Sequence, residues 1–297
     1  MRGLEALAVA VEGLDHPEGV TVAADGTMYA GGEAGQVYRI DLTGGPEAEA
    51  NAAARSPRAT QIASTDGFLL GLCADGNGRL YCCDVGRREL VRVDPATGSV
   101  AVHSTGPPDA PFVNPNWPVF GDDGALFVTD SGHWKGDDGS IVRIDPDGGA
   151  QTWCRSMTGF PNGACVTPAG DALLVLESTT PALVRVPIRS DGSAGDREVI
   201  AELPGTVPDG VTLDTDGNAY VCCYRPDRIL RVAPSGDVEV LADDPEGTLL
   251  SAPTNGVWLP PDHRRLLVGN LGRWHLTLCD WGGDVVGVPL RYPVLPS

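Results

Sequence analysis

Five polar residues recur at one position of a repeating pattern: Glu18, Asn116, Asn162, Asp209 and Asn255. Each carries a carboxylate or amide oxygen, and none is a thiol or an imidazole. Such a donor set matches a hard cation. Calcium takes six to eight oxygens, whereas magnesium demands a stricter octahedron and keeps more water. Taken singly, an Asn or Asp just before a strand reads as a turn cap bonded to nearby backbone. Taken together, Glu18, Asn162 and Asp209 at one register favour a shared ligand role.

Position depends on the elements that carry these residues. Each is followed by an apolar stretch, a turn containing Asp-Gly or a variant of it, and a second apolar stretch, as in PEGVTVAADGTMYAGG from Pro17 and PDGVTLDTDGNAYVCC from Pro208. A sixth copy starts at Leu69 and has the apolar Leu70 at the anchor position. Successive anchors are 52, 46, 46, 47 and 46 residues apart. The extra length of the first interval lies near residues 42–59, which read as an exposed loop or one short helix. A third alternating stretch follows in most copies, at residues 36–41, 89–94, 140–145 and 228–233, and a weaker fourth at residues 238–242. Alternation of apolar and polar residues is the signature of strands. Four short strands per repeat predict an all-β, six-bladed β-propeller with four antiparallel strands per blade, residues 1–297 forming one domain. Residues 4–11 and 285–290 are apolar enough to complete the last blade together. An open solenoid would need polar capping repeats, and neither end resembles one.

In such a ring the first strand of each blade lines the central channel, so the six anchors surround one mouth. The second strand returns to the same face, bringing Gly32, Asp84, Asp130, Glu177, Cys223 and Asn270 to a second tier. His16 precedes the first anchor. His133 lies in Asp130-Ser131-Gly132-His133-Trp134, a substrate-facing loop by this reading.

Composition sets the limits. The chain has 297 residues with 39 Gly and 25 Pro, and its longest windows free of both, residues 47–56 and 171–180, are only ten long. Helix interiors disfavour Gly and Pro, and a membrane-spanning helix needs about 20 mostly apolar residues. With 40 acidic against 21 basic residues, the net charge is -19, which disfavours nucleic acid and anionic membrane surfaces as partners. The start, Met1-Arg2-Gly3-Leu4-Glu5, lacks a secretory pattern, and a cytoplasmic location is expected. Eight cysteines, including the adjacent pairs Cys82-Cys83 and Cys222-Cys223, form no C-x-x-C motif and read as small buried hydrophobes, with at most one thiol of each pair pointing inward. No Gly-x-Ser-x-Gly elbow, phosphate-binding loop or dinucleotide fingerprint is present.

The ordered segments His16-Pro17-Glu18-Gly19, Pro161-Asn162-Gly163, Val207-Pro208-Asp209-Gly210 and Thr254-Asn255-Gly256 resemble the senescence-marker-protein/gluconolactonase/luciferin-regenerating family over nearly the whole chain. The resemblance implies a six-bladed propeller with one divalent cation, most often Ca2+, at the channel mouth and hydrolysis of lactones. It implies Glu18, Asn162 and Asp209 as the cation's protein ligands, with Asn116 helping to hold metal-bound water or substrate. Animal-type sugar lactonases of the family carry an Arg where this chain has Asn114, and the third anchor is followed by Trp117 where Asp is frequent. Trp117, Trp134 and Trp274 near the mouth favour a ligand less polar than an aldonolactone. The expected activity is metal-dependent hydrolysis of a lactone or similar ester, a small-molecule substrate. Asp209 would act as ligand and general base, and Asn114, Asn116, Asp130, His133 and Asn255 would face the substrate. The alternatives are a non-hydrolytic cyclase or isomerase using the same cation, and a binding propeller with a structural ion.

Overall fold

The computed structural model describes residues 3–42 and 57–295. Most of the 42–59 stretch therefore lies outside the described residues, apart from its two ends. Among the described residues, twenty-four strands form six four-stranded antiparallel sheets. The innermost strands are Val20–Val22, Leu69–Ala74, Pro115–Phe120, Pro161–Val166, Val207–Leu213 and Pro253–Leu259. Each contacts the next and the last contacts the first, which closes a six-bladed propeller. The third strands follow the alternation in the sequence, at Gln36–Asp41, Glu89–Asp94, Ser140–Ile144 and Arg228–Val232.

The Asp-Gly turns are built from side chains as well as backbone. In blade 2, Asp75 accepts from the Asn77 and Arg79 N–H groups (2.8 and 3.0 Å) and from the Tyr81 hydroxyl (3.2 Å). Asp214 repeats this in blade 5 with Asp216, Asn218 and Tyr220. The core lies between blades rather than inside one. Leu174, Leu176 and Leu183 of blade 4 pack on Val211, Leu213 and Val221 of blade 5. The second strands Leu80–Asp84 and Ala219–Arg225 are therefore covered on both faces. This explains why both members of each cysteine pair are buried, where one outward thiol was expected from alternation. All eight cysteines are free, and burial pushes the Cys165 and Cys223 thiols up to about 12, which makes them inert.

The last blade is closed by the chain start. Leu7–Glu12 pairs antiparallel with His275–Cys279 as the outermost strand. Residues 285–290 take no part in it, contrary to the sequence expectation, because Leu7–Glu12 occupies that edge. They bridge to blade 5 instead, with Gly287 opposite Asp214 and the Val288 N–H on the Leu213 carbonyl (2.9 Å). The tail then crosses the channel end opposite the anchors. The Tyr292 hydroxyl donates to the Val22 carbonyl (2.9 Å), Arg291 donates to the Thr167 carbonyl (2.7 Å), and the Leu295 carbonyl accepts from Asn77 (2.8 Å). No helix among the described residues is long and apolar enough to cross a membrane.

Candidate active site at the channel mouth

All six anchors sit where regular pairing is interrupted or has not yet begun. The register slips between Leu69 and Leu72, Pro115 and Trp117, Pro161 and Ala164, Pro208 and Val211, and Pro253 and Gly256. In blade 1, pairing starts at Val20, beyond Glu18. A bulge bends the strand and re-aims its side chain. Here it frees the anchor from the ladder at the top of the channel.

Four anchors form a linked arc. Asn162 donates from Nδ2 to the Ser178 hydroxyl (3.2 Å), which donates to the Pro208 carbonyl (2.7 Å), the residue before Asp209. Gly210 then lies so close to blade 6 that a Cβ there would stand 2.2 Å from Asn255 Oδ1. Asn255 donates from Nδ2 to Glu18 Oε1 (3.4 Å), and the Thr254 hydroxyl donates to the Glu18 carbonyl (2.7 Å). Ser131 makes the corresponding tie from blade 3 to the Pro161 carbonyl (2.7 Å).

What these bonds leave over is chemically uniform. Glu18 Oε2, Asn116 Oδ1, Asn162 Oδ1 and Asp209 Oδ1 are buried without a hydrogen-bond partner. All four are acceptors on residues no more than 7% exposed. A buried acceptor without a donor costs about 1–3 kcal/mol, and more when charged. Burial holds the Glu18 and Asp209 carboxyls well above the usual carboxylate range, and the Asp209 charge raises Glu18 further. Buried oxygens that lack donors fit a hard cation. Among the described residues no three His, Cys, Asp or Glu side chains form a metal-holding group; the set at the mouth is two carboxylates and amides.

The remaining sequence candidates divide. Asp130 belongs to a bracing tier. Its oxygens accept from the Val113 N–H (3.0 Å) and the Asn114 N–H (2.6 Å), so it positions the segment leading to Asn116. Asp84, Glu177 and Asn270 brace the approach to their own anchors in the same way. Asn114 is half-buried with Oδ1 unpartnered, and its Nδ2 donates to the Gly132 carbonyl (3.4 Å). His133 is exposed and bonded through Nδ1 to Asp138 (2.7 Å), which holds it on a loop beside the mouth. Trp117 turns inward: a Cβ on Gly71 of blade 2 would stand 2.0 Å from its ring. It lines a channel cavity of about 60 Å³ together with Thr21 and Thr212. Sequence reasoning missed the hydroxyl ties of Ser131 and Ser178. The available signal was the repeated acidic-Ser pair, Asp130-Ser131 and Glu177-Ser178.

A family model for the SMP-30/Gluconolactonase/LRE-like region matches residues 16–269. The chain is 28% identical over 166 residues to lactonase drp35 of Staphylococcus haemolyticus, covering 51% of this chain and 49% of that protein. It is 26% identical over 202 residues to a gluconolactonase of Zymomonas mobilis, covering 61% and 56%. The chain thus spans about half the length of these curated relatives. A solved calcium-binding protein, regucalcin of Agrobacterium tumefaciens, superimposes with a TM-score of 0.77 at 20% identity over 97% of both chains, a likeness of fold.

Proposed function

This chain belongs to the SMP-30/gluconolactonase/LRE-like family, and from that premise we propose that it is a divalent-cation-dependent hydrolase of a lactone or similar ester. The observation that carries the reading is the set of orphaned acceptors on Glu18, Asn116, Asn162 and Asp209. The relatives named as lactonases support the reaction class. Glu18, Asn162 and Asp209 would hold the cation through oxygen, and calcium fits that donor set. When bound, it supplies Lewis-acid polarisation of the substrate carbonyl.

The chain's own groups do the rest. Alone with Glu18, Asp209 holds a proton more tightly than an ordinary carboxyl. It works as a base only when the shared negative charge is compensated. Asp209 then takes a proton from water as the water oxygen bonds to the carbonyl carbon. As the ring C–O bond breaks, Asp209 returns that proton to the leaving alkoxide, so lactone and water give one hydroxy acid. Asn116 and Asn255 orient the carbonyl, with Asn255 fixed against Glu18. Asn114, braced by Asp130, stands where animal-type sugar lactonases have Arg, and this favours a substrate other than a simple aldonolactone.

A panel of lactones assayed before and after chelation tests this. Lactone opening should need the cation, vanish on chelation with the β-sheet circular dichroism intact, and return with calcium. Lactone opening at full rate in chelator would refute the reading, as would isomerisation without uptake of water.

A further inference from the structure

Two tryptophans stand out at the mouth. Trp134 is 53% exposed and Trp274 is 61% exposed. Both lie in loops that join a second strand to a third, on the anchor face. The six loops of this class cover residues 32–35, 85–88, 131–139, 178–181, 226–227 and 271–274, and only the third and sixth carry an aromatic residue. Blades 3 and 6 are three steps apart in a ring of six, so the indoles come from opposite sides of the mouth.

Each indole is fixed by the blade that follows it. Trp134 meets the edge of Phe160 with ring centres 4.9 Å apart and planes at 77°. Trp274 donates from Nε1 to His16 Nε2 (3.1 Å), and the other ring nitrogen of His16 bonds the Leu271 carbonyl (2.8 Å). The Trp274 carbonyl also accepts from the Gly13 and Leu14 N–H groups. Phe160 and His16 stand two residues before Asn162 and Glu18 respectively, and both have positive φ, 59° and 43°. That conformation is costly for a bulky side chain and persists where surroundings enforce it. The same costly device thus appears twice, each time coupling a rim tryptophan to a strand that leads into the acceptor cluster. With the Trp274 N–H already engaged, what it offers at the rim is the apolar face of the indole. Rigid indoles bind flat apolar surfaces at little entropic cost.

We infer that Trp134 and Trp274 are specificity-determining residues that grip a flat, apolar ring system attached to the lactone or ester, so that the substrate class is ring-bearing and apolar rather than polyhydroxylated. The inference rests on the hydrolase reading above. An aromatic contact of this kind is worth about 0.5–1.5 kcal/mol, which is roughly a two- to tenfold change in binding.

The test uses the calcium-loaded full chain and three lactones: benzo-fused dihydrocoumarin, ring-free δ-valerolactone and glucono-δ-lactone. Trp134→Ala and Trp274→Ala should each raise KM for dihydrocoumarin about two- to tenfold, with kcat changed less. The preference for dihydrocoumarin over δ-valerolactone should fall by the same factor, and Trp→Phe at either site should restore most of it. Calorimetry with 2-naphthamide, which carries no lactone or ester, reads the rim without turnover; its affinity should fall in the Ala variants. Trp-dependent naphthamide binding without any lactone opening would sink the hydrolase reading and keep the rim. Lactone opening with an unchanged preference ratio and unchanged naphthamide binding in both Ala variants would overturn the rim and keep the hydrolase. A KM rise confined to glucono-δ-lactone would reverse the substrate class and overturn the inference.

Discussion

The two ends of the channel are made from the same six strands and are finished differently. At the far end the tail residues Arg291, Tyr292 and Leu295 bond the backbone or side chains of blades 1, 2 and 4, and Leu295 is buried. At the anchor end, bulges, or in blade 1 the late start of pairing, keep the anchors out of the ladder, and four of their oxygens have no donor. The tail ties down one end, while four like acceptors stay bare at the other; that contrast is the basis for proposing the second end as the ligand site. The far end spends its hydrogen bonds on stability.

The largest effect should come from breaking the anchor end. Asp209→Ala removes a charge and a base, and turnover should fall to background. Asp209→Asn keeps an oxygen donor of similar size and should keep much of the cation while losing about 10²–10⁴ in rate. Single-turnover kinetics on the calcium-loaded variants read this, and a fast Asp209→Asn enzyme would remove Asp209 as the base.

Breaking the other end should do the reverse. Deleting residues 290–297 removes the buried Leu295 and the bonds of Tyr292 and Arg291, a loss of about 2–4 kcal/mol. Urea denaturation should show it, with calcium affinity at 25 °C nearly kept. A truncation that abolished binding in a folded protein would merge the two ends into one functional unit.

A pH titration sharpens the contrast. In the folded, metal-free protein the Glu18 and Asp209 carboxyls are held above their usual values by burial. The folded state therefore binds more protons than the unfolded state in the window above about pH 4. The stability this pair contributes is complete below that window and is lost as pH rises through the raised values. Metal-free protein should thus melt lower as pH rises from about 4 to 7, and calcium should cancel the trend. Glu18→Gln should flatten it, and an equal slope in that variant would assign the effect elsewhere.

The smallest expected effect concerns the tie between blades 4 and 5. Ser178→Ala frees the Asn162 amide and the Pro208 carbonyl, at about 1 kcal/mol. Calcium affinity should weaken roughly fivefold with the fold intact, and an unchanged affinity would make that tie irrelevant to the site.

Much of this was legible in the sequence because a repeat reports itself many times. Spacing of 46–47 residues and alternation at Gln36–Asp41 or Glu89–Asp94 fix blades and strands without knowledge of contacts. Glu18, Asn162 and Asp209 were visible as a shared register. The bracing role of Asp130 was not, because an acidic residue at a strand end looks alike whether its oxygens meet substrate or the N–H groups of Val113 and Asn114. The path of residues 285–290 was misjudged for a similar reason. Apolar alternation says that a segment is covered, and it does not say which edge is still free. Phe160 carries no polar signal, and its contact with Trp134 spans two blades.

The central claim is that the anchor end is a cation site, and calcium titration of metal-free protein by calorimetry in two buffers of different ionisation enthalpy tests it most directly. The account predicts one ion per chain, a heat that depends on the buffer because protons leave Glu18 and Asp209 on binding, and loss of both signals in Glu18→Ala. The absence of a saturable site, or binding that Glu18→Ala leaves unchanged, would contradict it.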